Sequence, residues 1–216
     1  LVWVAIFARG TTPTRPAGSF DEPASRTPPS FIPTVSRSQF TARVRDAEAH
    51  ILAGDTYQVN LTFPMRADAA PDPGQWYDDL RVAQQARYCA YLDLGRQIVL
   101  SLSPELFFAR RGQRVTARPM KGTIRRGRWL AEDEALEREL VTSSKTRAEN
   151  VMIADLLRND IGRVAAIGSV RVPALCTAER YPTLWQLTST VEGDVPAPTT
   201  LVELFRALAL PDRSEE

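Results

Sequence analysis

The sequence predicts an α+β fold in which mostly antiparallel sheets carry helices on their outside. Short segments alternate apolar and polar residues and are separated by glycine turns, which is typical of antiparallel strands. Other segments repeat apolar residues at helical spacing, and four consecutive strands follow one another as a meander. A chain of 216 residues is long enough to bury one substantial core.

The composition divides the chain into a short N-terminal region and one main domain. Leu1–Ala8 is apolar throughout and predicts a buried strand. Residues 10–33 carry six of the sixteen prolines together with Gly, Ser and Thr, which indicates a linker or an exposed loop. We therefore expect residues 1–34 to form an N-terminal strand and proline-rich linker, and residues 35–216 to form the main domain.

The first helix of the main domain has clear start and stop signals. Ser36 and Gln39 form a capping box, and Gly54 follows the last residue at helical spacing. The next segment, Tyr57–Phe63, alternates strictly and predicts a strand with one apolar face. Its other face carries amides and hydroxyls, which are either solvated or line a small-molecule pocket.

The meander allows a geometric inference about two residues that could do chemistry. If residues 112 and 113 form a two-residue hairpin loop, Arg111 lies opposite Arg114, and Glu105 then lies opposite Met120. Because Pro119 interrupts the ladder, the next residue but one, Lys121, can be redirected toward the end of the sheet where Glu105 lies. The four strands are Tyr88–Leu94, Ile98–Leu102, Leu106–Arg110 and Arg114–Arg118.

Lys121 is one of only two lysines among the 27 lysines and arginines of the chain, the other being Lys145. An ammonium can lose its proton and become a nucleophile or base, whereas a guanidinium cannot at working pH. A chance survivor of compositional drift is the alternative, since structural lysines outnumber catalytic ones.

The C-terminal half is predicted to contain three helices and two strands. In the second helix Glu149 lies on an apolar face, where a carboxylate is costly to bury unless it is paired or binds a metal. Lys145, one turn earlier, is the alternative partner in an i, i+4 salt bridge. The helices are Glu132–Val141, Ser144–Asp160 and Thr199–Leu208, and the strands are Ser169–Val172 and Thr183–Val191.

The composition argues against several classes of function. The net charge of +1 predicts no nucleic-acid footprint, and the longest apolar run is too short to span a bilayer. Cys89 and Cys176 show no metal-ligand spacing and read as reduced thiols, which favours a cytoplasmic protein. The arginines at positions 125, 126 and 128 predict a solvated loop, or a site that holds an anionic substrate.

Four segments together resemble the chorismate-utilising enzymes, a family that includes the anthranilate, isochorismate, salicylate and aminodeoxychorismate synthases. The resemblance runs from about residue 36 to residue 209 and implies part of the two-sheet sandwich of anthranilate synthase component I, with residues 35–216 as a partial chorismate-binding catalytic domain. The segments are 54–61 (GDTYQVNL), 101–105 (SLSPE), 118–123 (RPMKGT) and 145–164 (KTRAENVMIADLLRNDIGRV).

The resemblance also implies a reaction. Members that add ammonia or water at ring C2 without a covalent intermediate usually have alanine where Lys121 stands, so this chain is similar to the aminodeoxychorismate synthase branch. In that branch the Lys121 amine would attack C2 of chorismate, Glu105 would act as general acid and base, and ammonia would add at C4. The product, 4-amino-4-deoxychorismate, leads to 4-aminobenzoate and folate.

Further residues take roles by the same resemblance. Gly122, Thr123 and Gln186 would bind the substrate, and Glu149 would bind Mg²⁺, which holds the ring carboxylate. Ammonia would come from a separate glutamine amidotransferase subunit, because the chain has no glutaminase Cys-His pair.

The chain departs from the family pattern at its ends and in the metal site, so three alternatives stay open. It begins at Leu1 and ends at Glu216, and we expect it to be truncated at both ends. Thr146 stands where a second acidic metal ligand is common. The alternatives are an inactive fragment, a module that docks the amidotransferase, and an enzyme of the anthranilate synthase component I type.

Overall fold

The computed structural model describes residues 29–56, 58–67 and 72–209. The chain divides into two compact units, Leu1–Pro71 and Asp72–Glu216. The predicted strand Leu1–Ala8 and most of the proline-rich linker lie outside the described residues. The boundary predicted between residues 34 and 35 falls inside the first unit and stays a prediction.

In the first unit, helix α1 (Arg37–Ala53) begins and ends where the sequence predicts. The Ser36 side chain accepts a hydrogen bond from the Gln39 amide, and the Gln39 side chain accepts one from the Ser36 amide at 2.8 Å. The chain leaves the helix at Gly54, whose φ of +84° is the left-handed conformation that glycine adopts without strain.

The strand predicted at Tyr57–Phe63 is wrong over its described part. Residues 58–63 form no strand, and the extended pairing in this unit lies elsewhere, between β1 (Phe31–Pro33) and β2 (Met65–Ala67). Alternation of apolar and polar residues shows that a segment can present two faces, but a strand also needs a neighbour for its backbone groups.

The second unit contains four helices and seven strands within residues 72–209. The sequence analysis does not predict helix α2, although Asp72 accepts a hydrogen bond from the Gln75 amide at 2.8 Å and a proline stands at the first helical position. The elements are α2 (Pro73–Gln84), β3 (Tyr88–Asp93), β4 (Ile98–Ser103), β5 (Leu106–Arg111), β6 (Arg114–Arg118), β7 (Met120–Arg125), α3 (Leu130–Thr142), α4 (Ser144–Gly162), β8 (Arg171–Arg180), β9 (Leu184–Asp194) and α5 (Leu201–Ala209).

The four-stranded meander is wrong as a single sheet. β3 and β4 form a two-stranded hairpin, whereas β5 and β6 belong to a five-stranded antiparallel sheet. Pro104 separates the two hairpins, and because proline lacks an amide hydrogen it does not continue a ladder from β4 into β5. Within the second hairpin the predicted pairing of Arg111 with Arg114 is confirmed.

β9 is the central strand of the large sheet. β8 pairs with one side of β9, while β6 and β7 follow one another along the other side, with β5 beyond β6. The ladder between β8 and β9 shifts register twice, and Cys176 in β8 has a φ of +54°. The strand predicted at residues 169–172 corresponds to the start of β8, which begins at Arg171 and continues to Arg180.

Helices α3 and α4 cover one face of this sheet, which confirms the α+β class with antiparallel sheets and outer helices. Val191 and Leu187 of β9 are fully buried, in two core clusters formed with residues of β6, β8 and the helices. The alternate residues Gln186, Thr188 and Thr190 face the other way and make the opposite face polar, although Thr188 is itself buried. In the described parts of the chain, no helix combines the length and the apolar character needed to cross a membrane.

Candidate functional site

Lys121 lies at an irregularity in the central ladder. The pairing of β7 with β9 shifts by one residue between Met120 and Thr123, so that Lys121 and Gly122 together oppose Leu187. Such a bulge breaks the regular alternation of side chains and redirects those next to it. The sequence located the break at Pro119, whereas the structure places the change of register one to three residues later.

Gly122 allows helix α4 to pack directly against the bulge. Its φ is +97°, and a β-carbon at this position would lie 2.0 Å from Thr146 Cγ2 and 3.3 Å from Leu140 Cδ1. Real side chains do not tolerate the first distance, so both the backbone conformation and the space require glycine. Gly122 is therefore a structural requirement of the bulge, and its predicted contact with substrate stays a prediction.

A hydrogen bond ties Glu105 to Met120, the residue before Lys121. The Met120 amide donates to Glu105 Oε1 at 3.2 Å. A second bond orients the Glu105 backbone, because its amide donates to Ser103 Oγ at 3.2 Å. The sequence predicts that Glu105 and Met120 oppose each other in the ladder between β5 and β6. This ladder shifts register near Leu106, so the contact between the two residues is made by the Glu105 carboxylate and not by its backbone.

Glu105 also lines a cleft of about 360 Å³ beside α4. A second carboxylate in its wall, Asp160, is mostly buried, and this burial raises its pKa despite the opposing charge of Arg163. Most of the remaining wall is apolar, with side chains such as Phe107 and Ile153. Lys121 does not line this cleft, so the cleft adjoins the acid and not the amine.

Glu149 is half-buried on α4 and forms no ion pair with Lys145 within 4.0 Å, so the salt-bridge alternative is not observed. Within residues 29–56, 58–67 and 72–209, no three His, Cys, Asp or Glu side chains group closely enough to hold a metal ion. A magnesium site ordinarily combines one or two carboxylates with water and substrate oxygens. The predicted role of Glu149 as a Mg²⁺ ligand therefore stays a prediction.

The predicted substrate residues Thr123 and Gln186 lie side by side. They are directly opposed on β7 and β9, and Gln186 is also opposed to Glu179 on β8. Directly opposed residues share a face, so these side chains form a polar row on the side away from α3 and α4. Glu179 forms an ion pair with Arg118 and accepts a hydrogen bond from the Tyr181 hydroxyl at 3.3 Å. Sequence reasoning missed the ion pair because its members are 61 residues apart.

The arginine cluster pairs with the first turn of helix α3, although the side chains of Arg125 and Arg128 stay 57% and 73% exposed. Arg125 contacts Glu132 at 2.6 Å, and Arg126 forms two hydrogen bonds with Asp133 at 2.7 and 2.5 Å. The Arg125 bond lowers the pKa of Glu132 to about 2, and the Arg126 bond holds the pKa of Asp133 well below its usual value. Trp185 Nε1 also donates to Asp133 at 3.0 Å. Arg126 is therefore engaged within the protein, whereas the exposure of Arg125 and Arg128 agrees with the predicted solvated loop.

Comparison with known proteins identifies the family. The profile of the chorismate binding enzymes matches residues 9–209, and this chain belongs to that family. It is 42% identical over 173 residues to aminodeoxychorismate synthase component 1 of Klebsiella aerogenes, covering 80% of this chain and 38% of that protein. It is also 43% identical over 163 residues to anthranilate synthase component 1 of Thermus thermophilus, covering 76% of this chain and 35% of that protein.

A solved structure agrees with this assignment. Anthranilate synthase component I of Streptococcus pneumoniae matches with a TM-score of 0.76 and 30% identity, covering 84% of this chain and 40% of the other. The family resemblance and the related fold expected from the sequence are thus confirmed. The chain spans about two fifths of the length of these relatives or less.

Proposed function

We propose that the chain is the part of an aminodeoxychorismate synthase component I that carries its nucleophile and its general acid. The observation that supports this most directly is the lysine at position 121, whose preceding residue, Met120, donates its amide hydrogen to the carboxylate of Glu105. The relatives include both aminodeoxychorismate and anthranilate synthases. A primary amine at Lys121 favours the first class, because only that chemistry needs a covalent nucleophile at this position.

The proposed reaction has two displacement steps. The deprotonated Lys121 amine attacks C2 of chorismate, the two ring double bonds shift, and the C4 hydroxyl takes a proton from Glu105 and leaves as water. Ammonia then attacks C4, the double bonds shift back, and the C2–N bond to Lys121 breaks. The product is 4-amino-4-deoxychorismate, and the lysine regains its free amine.

The hydrogen bonding of Glu105 suits the role of an acid. Oε1 is engaged by the Met120 amide, whereas no protein donor among the described residues contacts Oε2. One oxygen can therefore fix the orientation of the carboxyl group while the other exchanges a proton with the substrate hydroxyl. General acid–base catalysis by a positioned carboxyl group contributes roughly 10²–10⁴-fold to a rate.

The remaining assignments are proposals that rest on the family. Thr123 and Gln186 would contact the substrate from the polar row, and ammonia would come from a glutamine amidotransferase subunit. Glu149 would contribute one ligand to Mg²⁺, together with oxygen atoms beyond the described residues. No step above depends on the metal.

Mass spectrometry of the intact protein tests the nucleophile. The protein, in a preparation that contains the full site, is incubated with chorismate without ammonia. The expected result is an adduct with the mass of chorismate less one water, present in the wild type and in Lys145→Ala and absent in Lys121→Ala. Borohydride is not needed because no imine forms. Absence of the adduct in the wild type would reject the covalent mechanism.

The identity to anthranilate synthase component 1 of Thermus thermophilus supports a second candidate, an enzyme that aminates C2 directly. The two candidates give different products from chorismate and ammonia. Chromatography of the reaction mixture distinguishes 4-amino-4-deoxychorismate from anthranilate. Anthranilate formation that survives Lys121→Ala would favour the second candidate.

A further inference from the structure

A buried side-chain amide connects helix α4 to the bulge that carries Lys121. Asn150 is 0% exposed, although it is polar and lies in the core. Burying an amide is costly unless its hydrogen bonds are satisfied. Asn150 Nδ2 donates to the Leu187 carbonyl oxygen at 2.8 Å and is 3.4 Å from the Lys121 carbonyl oxygen.

The surrounding groups fix the orientation of this amide. The carbonyl oxygens of Leu187 and Lys121 can only accept, so the amide nitrogen must face them. On the other side, Asn150 Oδ1 accepts from the Ser189 hydroxyl and lies 3.8 Å from Cys176 Sγ. Ser189 Oγ in turn accepts from the Cys176 amide at 3.0 Å. The network therefore spans α4, β7, β8 and β9.

The position of this amide explains how the bulge is held. Lys121 and Gly122 together oppose Leu187, and a bulge of this kind disrupts ladder bonds locally. The Asn150 amide supplies a donor to carbonyl groups on both strands at that point. Thr146, one helical turn earlier, lies over Gly122 on the same face of α4.

We infer that Asn150 is a positioning residue for Lys121. Its amide fixes the backbone from which the Lys121 side chain leaves the sheet, so that the amine keeps one place relative to Glu105. The assignment of a catalytic purpose rests on the proposed function, whereas the positioning itself does not. Catalytic groups must be held within about 0.5 Å of their productive geometry, and such precision requires supporting hydrogen bonds behind the reacting residue.

Competitive labelling of the two lysines tests this inference without turnover. The folded protein is treated with trace acetic anhydride, and the acylation rates of Lys121 and Lys145 are measured by mass spectrometry. Lys145 is exposed and serves as the reference within the same molecule. In Asn150→Leu, which keeps the number and branching of the side-chain heavy atoms but removes the donor, we expect the Lys121 rate to rise roughly fivefold relative to Lys145, as the loss of one hydrogen bond frees the bulge.

Two control variants separate positioning from stability. Ser189→Ala removes the partner of Asn150 Oδ1 but leaves the donor to Lys121, and Leu204→Ala weakens the core in a different element. Both should lower the melting temperature and leave the labelling ratio within about twofold of the wild type. An unchanged ratio in folded Asn150→Leu, or an equal rise in Leu204→Ala, would overturn the inference.

Folding of the variants is checked by circular dichroism before labelling. If Asn150→Leu does not fold, Asn150→Asp, which keeps the shape and the acceptor for Ser189, decides the question by the same ratio. The chorismate adduct of the wild type is a separate measurement. Its absence would reject the proposed reaction, while the labelling ratio would still decide whether Asn150 positions Lys121.

Discussion

Replacing Gly122 with alanine should destabilise the second unit strongly, for two separable reasons. Alanine at a φ of +97° costs about 1–2 kcal/mol of backbone strain. Its β-carbon would also lie 2.0 Å from Thr146 Cγ2, and overpacking a core in this way costs about 1–3 kcal/mol. The sum is a loss of about 2–5 kcal/mol in the free energy of unfolding.

Urea denaturation, followed by tryptophan fluorescence, measures this loss. Gly168→Ala is the matched control, because Gly168 has a φ of +78° but open space where the alanine β-carbon would lie, with no heavy atom beyond its chain neighbours within 4 Å. This variant should lose only the stability that the backbone strain costs, about 1–2 kcal/mol. The difference between the two variants is therefore the cost of contact with α4.

A second substitution tests whether Thr146 is the obstructing group. Thr146→Ala removes the methyl group that the new β-carbon would meet, so the double variant Gly122→Ala/Thr146→Ala should recover the packing part of the loss. The coupling energy in this double-mutant cycle should be about 1–3 kcal/mol. If Gly122→Ala costs no more than Gly168→Ala, or if the coupling is zero, α4 does not pack against the bulge as described.

Three further predictions concern acid stability, the core and the general acid. The pKa of Glu132 falls from 4.5 to about 2 on folding, so the stability from its ion pair is complete above pH 4.5 and is lost as the pH falls toward 2. Glu132→Gln should flatten urea-unfolding stability over that interval, and an unaltered profile would contradict the assignment. Leu204→Ala should cost about 2–5 kcal/mol in the same assay, because the side chain is fully buried. Val202→Ala, at a position 58% exposed, should stay within about 0.5 kcal/mol, and equal losses would refute the packing. Glu105→Gln keeps an acceptor for Met120 but should slow chorismate adduct formation by roughly 10²–10⁴-fold, whereas the exposed control Glu134→Gln should not; equal rates would remove Glu105 from the mechanism.

The parts of the fold that sequence predicted well depend on interactions between near neighbours. Ser36 and Gln39 are three residues apart, and Gly54 acts through its own backbone, so the limits of α1 follow from local rules. The pairing of Arg111 with Arg114 follows in the same way from a two-residue loop.

The parts that sequence predicted badly depend on which strands become neighbours. The residues 58–63 have a strand pattern but no strand pairing in the described chain, and Pro104 divides a meander that periodicity alone joins. Within the candidate site, the hairpin register predicts that Glu105 lies opposite Met120, and the structure joins the two residues through the Glu105 carboxylate. The bulge at Lys121 and Gly122, in the ladder between β7 and β9, depends on packing against α4, which no local pattern reports.

Asn150 was missed although the sequence carries a signal for it. It occupies the same helical stripe as Ala154, Leu157 and Ile161, at spacings that place all four on one face. An amide in such a stripe is expected to satisfy buried backbone groups. Its partners at Leu187 and Ser189 are 37 and 39 residues away, so the structure was needed to identify them.

The irregular course of β8 affects how the protein behaves at high concentration. Among the described strands, β8 pairs only with β9, and a ten-residue strand in that position would ordinarily offer its other edge to a second molecule, as happens when sheets grow into fibres. Two register shifts, a proline at position 173 and the left-handed turn at Cys176 interrupt that edge. They leave no long flat run on which another chain could assemble, so β8 discourages fibre growth by its own shape.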